Sequence, residues 1–213
     1  MKTTLRHAAK LVTPPIVPAF VRWCLALPTR GKLFDGDDGL FLDLIAKASA
    51  YAEYGCGAST IWTANETSLD IISVDSSADW LHHVQSSINR TSGVTAVHVD
   101  LGPLGDWGRP VGYGKRSKFI DYVEGPWRAG QSSDLVLVDG RFRMACFLTS
   151  LLRARPGTTI LFDDYVGRAN FHVAEEYVPS VRKNARQAAF VVPEQIDRSF
   201  IEAEREKFLY VME

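Results

Sequence analysis

The spacing of apolar residues changes period along this chain, and the changes divide it into elements. From Leu40 to Ala48, the residues Leu40, Phe41, Leu44, Ile45 and Ala48 recur at helical spacing, with Asp37 and Asp38 where an N-cap belongs. Just before them, Phe34-Asp35-Gly36-Asp37-Asp38-Gly39 has the flavour of a calcium loop, but its glycine and closing glutamate are out of register, so it reads as a capped turn. Short apolar runs ending in polar or acidic residues follow at Tyr51 to Tyr54, Ile71 to Asp75, Val94 to Leu101, Leu135 to Asp139 and Thr158 to Asp164. Each predicts a parallel strand buried on both faces. Helix-patterned stretches at 78–88 and 142–154 lie between them, which predicts an α/β, doubly wound sheet.

The last third departs from that rhythm. Ala188 to Pro193 and Lys207 to Met212 are two further strand-like runs, separated by polar residues with no long amphipathic pattern, and they are expected to pair antiparallel at one sheet edge. Residues 102–131 are irregular and rich in Gly and Pro. There Trp107, Tyr113, Tyr122 and Trp127 are interleaved with Arg109, Lys115, Arg116, Lys118 and Arg128. Following the third strand, this insertion is placed to shape or cover a pocket, because such sheets bind ligands at the carboxyl ends of their strands.

Composition narrows the function classes. With 213 residues and 46% hydrophobic content the chain has enough for one α/β core, and two full domains would be cramped. Its 24 basic and 25 acidic residues leave a formal net charge of -1, so no global field favours nucleic acid or an anionic membrane. Aromatics among basic residues also suit stacking on a nucleic-acid base. The balanced charge favours a substrate lid, and no nucleic-acid partner is expected. Cys24, Cys56 and Cys146 are odd in number and widely spaced, which supports neither a disulfide framework nor a cysteine zinc site. A reducing, cytoplasmic setting fits. Pro14, Pro15, Pro18 and Arg22 interrupt any membrane span near the N-terminus, so residues 1–39 are expected to be an extension packed on a domain formed by 40–213.

The chemistry gathers at Glu53-Tyr54-Gly55-Cys56-Gly57-Ala58-Ser59-Thr60. Gly55 and Gly57 leave room for a ligand to approach the backbone, and the helix start that follows offers free amides. The dinucleotide fingerprint needs a third glycine at position 60, where Thr60 stands. Glu53 at the end of the first strand suits a cationic ammonium and would repel a pyrophosphate. Asp75, ending the second strand, is placed to accept ribose hydroxyls, and Asp100, after the third, to face an adenine amine.

These three stretches, Glu53 to Gly57, Val74-Asp75 and Val99-Asp100, resemble the first three motifs of class I S-adenosylmethionine-dependent methyltransferases. The resemblance implies a Rossmann-like, seven-stranded mixed sheet whose last strand is antiparallel, with an N-terminal helical extension. It implies S-adenosylmethionine as cofactor, held by Glu53, Gly55, Cys56, Gly57, Ser59, Thr60, Asp75, Ser76, Asp100, Leu101 and Asp139. A second stretch, Asp134 to Gly140 with Pro156 to Tyr165, is similar to strands four and five of metal-dependent O-methyltransferases. That similarity implies a Mg²⁺ ion on Asp139, Asp163 and Asp164, with Asp139 and Asp164 catalytic. No lysine base follows Asp139, since Gly140-Arg141-Phe142-Arg143 stands there. Arg141 or Arg143 instead suits an anionic acceptor, and His172 is taken as proton acceptor. The resulting expectation is an O-methyltransferase acting on a small molecule or sugar, with a homodimer as a possible assembly. Its rivals are an NAD-binding oxidoreductase using the same turn and a non-catalytic binding module.

Overall fold

A computed structural model describes residues 32–128, 130 and 132–213. Five parallel strands form as their apolar runs predict: β1 (Ala50–Tyr54), β2 (Asp70–Asp75), β3 (Val94–His98), β4 (Leu135–Val138) and β5 (Thr159–Phe162). Two more complete the sheet, β6 (Ser180–Lys183) and β7 (Ala188–Val191), in the order β3-β2-β1-β4-β5-β7-β6. β7 runs antiparallel to both of its neighbours. The seven-stranded mixed sheet is therefore the one expected, with one strand assigned wrongly from sequence.

Residues 207–212 do not form a strand. An 11-residue helix spanning Arg198–Phe208 occupies most of the stretch read as polar connection, and the chain ends in a short tail. Asp197 caps that helix by accepting from the Phe200 amide, and Ile201 and Leu209 pack into the core. The edge strand that was missed, Ser-Val-Arg-Lys, is mostly exposed and has no apolar face to betray it.

The remaining helices are α1 (Gly39–Ile45), α2 (Ala58–Glu66), α3 (Ala78–Ser87), α4 (Phe119–Val123), α5 (Gly125–Arg128), α6 (Arg143–Arg153) and α7, the Arg198–Phe208 helix. Side chains of a strand alternate between faces, and β4 shows both uses. Val136 and Val138 join the core formed with α4, α6 and α7, whereas Leu135 and Leu137 join Phe41 and Ala64 from α1 and α2. Helices thus cover both faces of the sheet. At the start of α1, the expected cap works differently: the Asp38 carboxylate accepts from the Leu33 and Phe34 amides, and Asp37 accepts from Gly39. This tight turn buries Phe34 against Phe41. The expected packing of residues 1–31 lies outside the described residues.

The 102–131 insertion is only partly a surface loop. Phe119, Tyr122 and Val123 are buried, and Tyr54 Oη donates to the Val123 carbonyl at 2.7 Å while accepting from Trp127 Nε1 at 2.7 Å. Much of its positive charge is matched by local acids, with Lys115 on Asp100 and both Lys118 and Arg128 on Asp121.

Candidate active site

The carboxyl ends of β1, β2, β4 and β5 converge on a cavity of about 460 Å³. Its size lies within the usual range for a small-molecule site. Gly55, Cys56, Gly57 and Ser59 form one wall, Asp75 and Ser76 another, and Asp139, Gly140, Arg141 and Arg143 with Asp164 a third.

Two turns interlock at its base. Gly55 has φ +87°, and a Cβ there would stand 2.8 Å from Gly140 Cα and 3.0 Å from the Asp139 carbonyl. Conversely, a Cβ on Gly140 would fall 2.2 Å from Tyr122 Oη and 2.8 Å from Gly55 N. The turns after β1 and β4 can touch only because both residues lack a side chain. Gly57, in extended backbone at φ 174°, plays the other part: a Cβ there would meet nothing nearer than Trp80 at 4.0 Å, so its surface is left to a ligand.

Glu53 does not line this cavity. It is fully buried under the turn, where its carboxylate accepts from Tyr51 Oη at 2.8 Å, Ser59 Oγ at 2.7 Å and Thr60 Oγ1. Burial pushes its carboxyl up, against the pull of these hydroxyls. The expected contact with an ammonium is thus replaced by support of the turn: Thr60 Oγ1 accepts from Gly57 N at 2.8 Å, so Glu53 fixes the start of α2 through Thr60. Thr60 is itself buried beneath the wall, whereas Ser59 reaches the cavity.

Asp75 stands where expected. Its oxygens accept from Cys56 N at 3.1 Å and Ser77 N at 2.8 Å, and burial pushes its carboxyl up. Each carboxylate oxygen retains a further lone pair for a ligand hydroxyl. Ser76 donates to the Gly108 carbonyl at 2.9 Å and so ties the insertion to the cavity rim, where Trp107 sits. Trp80 Nε1 donates to the Cys56 carbonyl at 2.6 Å, and burial pushes the Cys56 thiol up.

Three residues read as site residues do not line this cavity. Asp100 and Leu101 lie off the cavity: β3 ends at His98, and the Asp100 carboxylate turns outward to Lys115 and the Gly102 amide, while Leu101 is core. His172 is also outside. The 3₁₀ segment Ala169–Glu176 buries Phe171 and Ala174 and so turns the His172 ring to the surface, with Nε2 3.1 Å from the Tyr165 carbonyl. It does not line the cavity.

The acids at the ends of β4 and β5 do come together, with carboxylate oxygens of Asp139, Asp163 and Asp164 within 4.8 Å of one another. Each, however, is paired by a guanidinium. Arg143, only 3% exposed, reaches Asp139 at 3.0 Å, Asp164 at 3.3 Å and the Asp163 carbonyl at 2.8 Å. Arg186 clamps Asp163 at 2.6 Å and Asp164 at 2.6 Å, Arg168 takes Asp164 at 2.6 Å, and Gln187 donates to Asp163 at 2.9 Å. A divalent cation needs the lone pairs these cations hold, and it would enter among their positive charges. The donor set does not fit Mg²⁺, and no step is assigned to a metal.

Electrostatics separates the acids. Burial works to raise the Asp163 carboxyl, but Arg186, Arg143 and Gln187 hold it below its ordinary value. Burial and then the neighbouring Asp163 push the Asp139 carboxyl well above the usual carboxylate range, with Arg143 opposing. Of these two, Asp139 is the acid pushed toward holding its proton.

Arg186 has no place in the reading of the sequence. β7 pairs antiparallel to β5 with Phe162 opposite Ala188, so Gln187 and Arg186 continue opposite Asp163 and Asp164. Only that register reveals the pairing.

No family model matches the chain, and no curated protein matches it. Among solved structures, it is similar to a methyltransferase-like protein from Silicibacter pomeroyi at 29% identity and TM-score 0.73, covering 93% of this chain and 97% of that one. This chain has the fold of the class I methyltransferases. The N-methyltransferase NodS from Bradyrhizobium japonicum, in complex with S-adenosyl-L-homocysteine, shares the fold at 13% identity and TM-score 0.51, over 82% of this chain and 97% of that one. In methyltransferases of this fold the ligand cavity lies where the strand order reverses, and here that is the gap between β1 and β4. Among the described residues, no helix is long and apolar enough to cross a membrane.

Proposed function

We propose that the domain formed by residues 40–213 binds S-adenosylmethionine in this cavity and methylates an oxygen of a small-molecule or sugar acceptor without a metal ion. The observation that carries the reading is the meeting of a sterically open Gly57 with a fixed Asp75 carboxylate on one cavity. Gly57, Ser59, Asp75 and Ser76 would hold the cofactor, with Trp80 and Trp107 as apolar walls. When bound, S-adenosylmethionine supplies an electrophilic methyl group on a sulfonium.

The protein's own tasks are orientation and proton transfer. Asp139 faces the cavity beside Gly55 and Gly140 and is assigned as the acceptor of the hydroxyl proton, in place of His172. Arg143 orients Asp139 through its 3.0 Å ion pair, and Glu53 orients the turn through Thr60. With S-adenosylmethionine bound, these residues would have to hold the acceptor oxygen in line with the methyl carbon at near-attack distance.

The test is transfer of labelled methyl groups from S-adenosylmethionine to a panel of hydroxylated, carboxylated and amino compounds by the full chain. The proposal expects incorporation at oxygen, unaffected by EDTA and lowered at least about a hundredfold by Asp139→Asn, the scale of a general base. Incorporation at nitrogen alone would contradict the oxygen assignment.

A further inference from the structure

The wall of the cavity built from the ends of β4 and β5 holds four arginines, Arg141, Arg143, Arg168 and Arg186, against the three carboxylates of Asp139, Asp163 and Asp164. Three of these arginines are accounted for. Arg143 and Arg186 each bridge two acids, and Arg168 pairs with Asp164. Asp35 and Asp75 also line the cavity, but the Asp75 oxygens accept from the backbone amides of Cys56 and Ser77, and among the described residues neither carboxylate forms an ion pair with Arg141. The guanidinium of Arg141 has no hydrogen-bond or ion-pair partner among the described residues, although it is partly buried and lines the cavity.

Its placement is fixed by the backbone around it. The Arg141 amide donates to Tyr122 Oη at 3.2 Å, and its carbonyl accepts from Cys146 Sγ at 3.3 Å. Gly140 before it is locked against Gly55, and Phe142 after it is fully buried in left-handed backbone at φ 55°. A fully buried phenylalanine held in that conformation anchors the turn on the core side and leaves Arg141 on the cavity side. A guanidinium presented this way, near Asp139 but with no direct ion pair among the described residues, is a fork for a planar or tetrahedral oxyanion. Burial, followed by repulsion from Arg143, lowers the Arg141 pKa, as expected for a cation short of counter-charge.

The geometry points to Arg141 as the anchor of an anion subsite, so that the methyl acceptor carries a carboxylate or a phosphate. The inference rests on the methyltransferase reading for the word acceptor, since the anion at Arg141 and the methyl group beside Gly57 would share one cavity. It also gives specificity: a neutral acceptor leaves Arg141 desolvated and unpaired, whereas an anionic one satisfies it.

Inorganic phosphate and, separately, acetate titrated calorimetrically into the full chain saturated with S-adenosylhomocysteine test this subsite. One of the two anions is expected to bind, and which one binds tells phosphate from carboxylate. Arg141→Met should weaken that binding at least about tenfold, Arg141→Lys should restore part of it, and affinity for S-adenosylhomocysteine should change less than about twofold. Because the Arg141 guanidinium holds no hydrogen-bond or ion-pair partner among the described residues, both variants should melt with the wild type. Binding of neither anion, or binding indifferent to Arg141→Met, overturns the subsite. So does a tenfold loss of S-adenosylhomocysteine affinity in Arg141→Met, which would assign the arginine to the cofactor's own carboxylate. If the wild type ignores S-adenosylhomocysteine but still binds the anion through Arg141, the methyltransferase reading fails and the anion site stands.

Discussion

Gly55 and Gly57 lie two residues apart on one turn, and replacing each by alanine should damage the protein in different ways. At Gly55, φ +87° places a side chain in left-handed backbone, at a cost of about 1–2 kcal/mol. The new Cβ would also lie 2.8 Å from Gly140 Cα and 2.9 Å from Gly140 N, and these are backbone atoms that cannot rotate away. Overpacking of this kind costs about 1–3 kcal/mol. Together the two effects predict a loss of about 2–5 kcal/mol, read as a fall in Tm of roughly 4–20 °C for a chain of this size. At Gly57 the backbone is extended and the nearest contact is 4.0 Å away, so only the change of N-cap residue counts, at under about 1 kcal/mol. The Cβ instead fills space assigned to the cofactor, and affinity for S-adenosylhomocysteine should fall at least about tenfold. Urea unfolding and calorimetric titration of the same two variants separate the effects. Equal destabilisation by both, or undiminished binding by Gly57→Ala, would refute the division of labour.

Three further outcomes follow from the polar network. Arg186→Met strands the buried Asp163 carboxylate and should cost about 3–5 kcal/mol in urea unfolding, whereas neither EDTA nor added Mg²⁺ should move the Tm of the wild type. A rise in Tm with Mg²⁺ would show that the arginines yield to the ion. His172→Ala should leave methyl transfer within about twofold of wild type, because its ring meets only the Tyr165 carbonyl and ring outside the cavity; a drop beyond about a hundredfold would restore it as a base. Asp134 ties the start of β1 by accepting from Ser49 N at 3.0 Å and Ala50 N at 3.1 Å; burial opposes these bonds, but they hold its carboxyl below the ordinary value. With a depressed folded pKa, the stabilisation is present above the unfolded value and is lost as pH falls through the folded one. Asp134→Asn should therefore flatten the acid limb of the stability profile, and an unchanged limb would remove Asp134 from it.

The five parallel strands were legible in the sequence because strands covered on both faces must be apolar throughout, as Leu-Val-Leu-Val in β4 shows. The two elements that escaped lie where burial is slight. β6 is an edge strand of mostly exposed residues, and α7 carries Glu-Ala-Glu-Arg-Glu-Lys around a single buried Ile201. The apolar end of that helix, Phe208 to Met212, then imitated a strand.

At the site, Asp75 and Gly55 could be placed from sequence because each follows directly from the end of an apolar run. Glu53 was found for the wrong role, since only the folded turn shows Tyr51, Ser59 and Thr60 closing over it. The acids of β4 and β5 were found, but not their neutralisation. That depends on Arg186, brought in by an antiparallel strand whose register no local pattern encodes.

The central claim is that the cavity beside Gly57 and Asp75 holds S-adenosylmethionine. Calorimetric titration of the full chain with S-adenosylhomocysteine, set against NAD and against Asp75→Ala, tests it most directly. The account predicts one site for S-adenosylhomocysteine, no heat with NAD, and at least about a tenfold loss in Asp75→Ala with the fold retained. Absence of binding by the wild type at millimolar ligand, or selective binding of NAD, would contradict it.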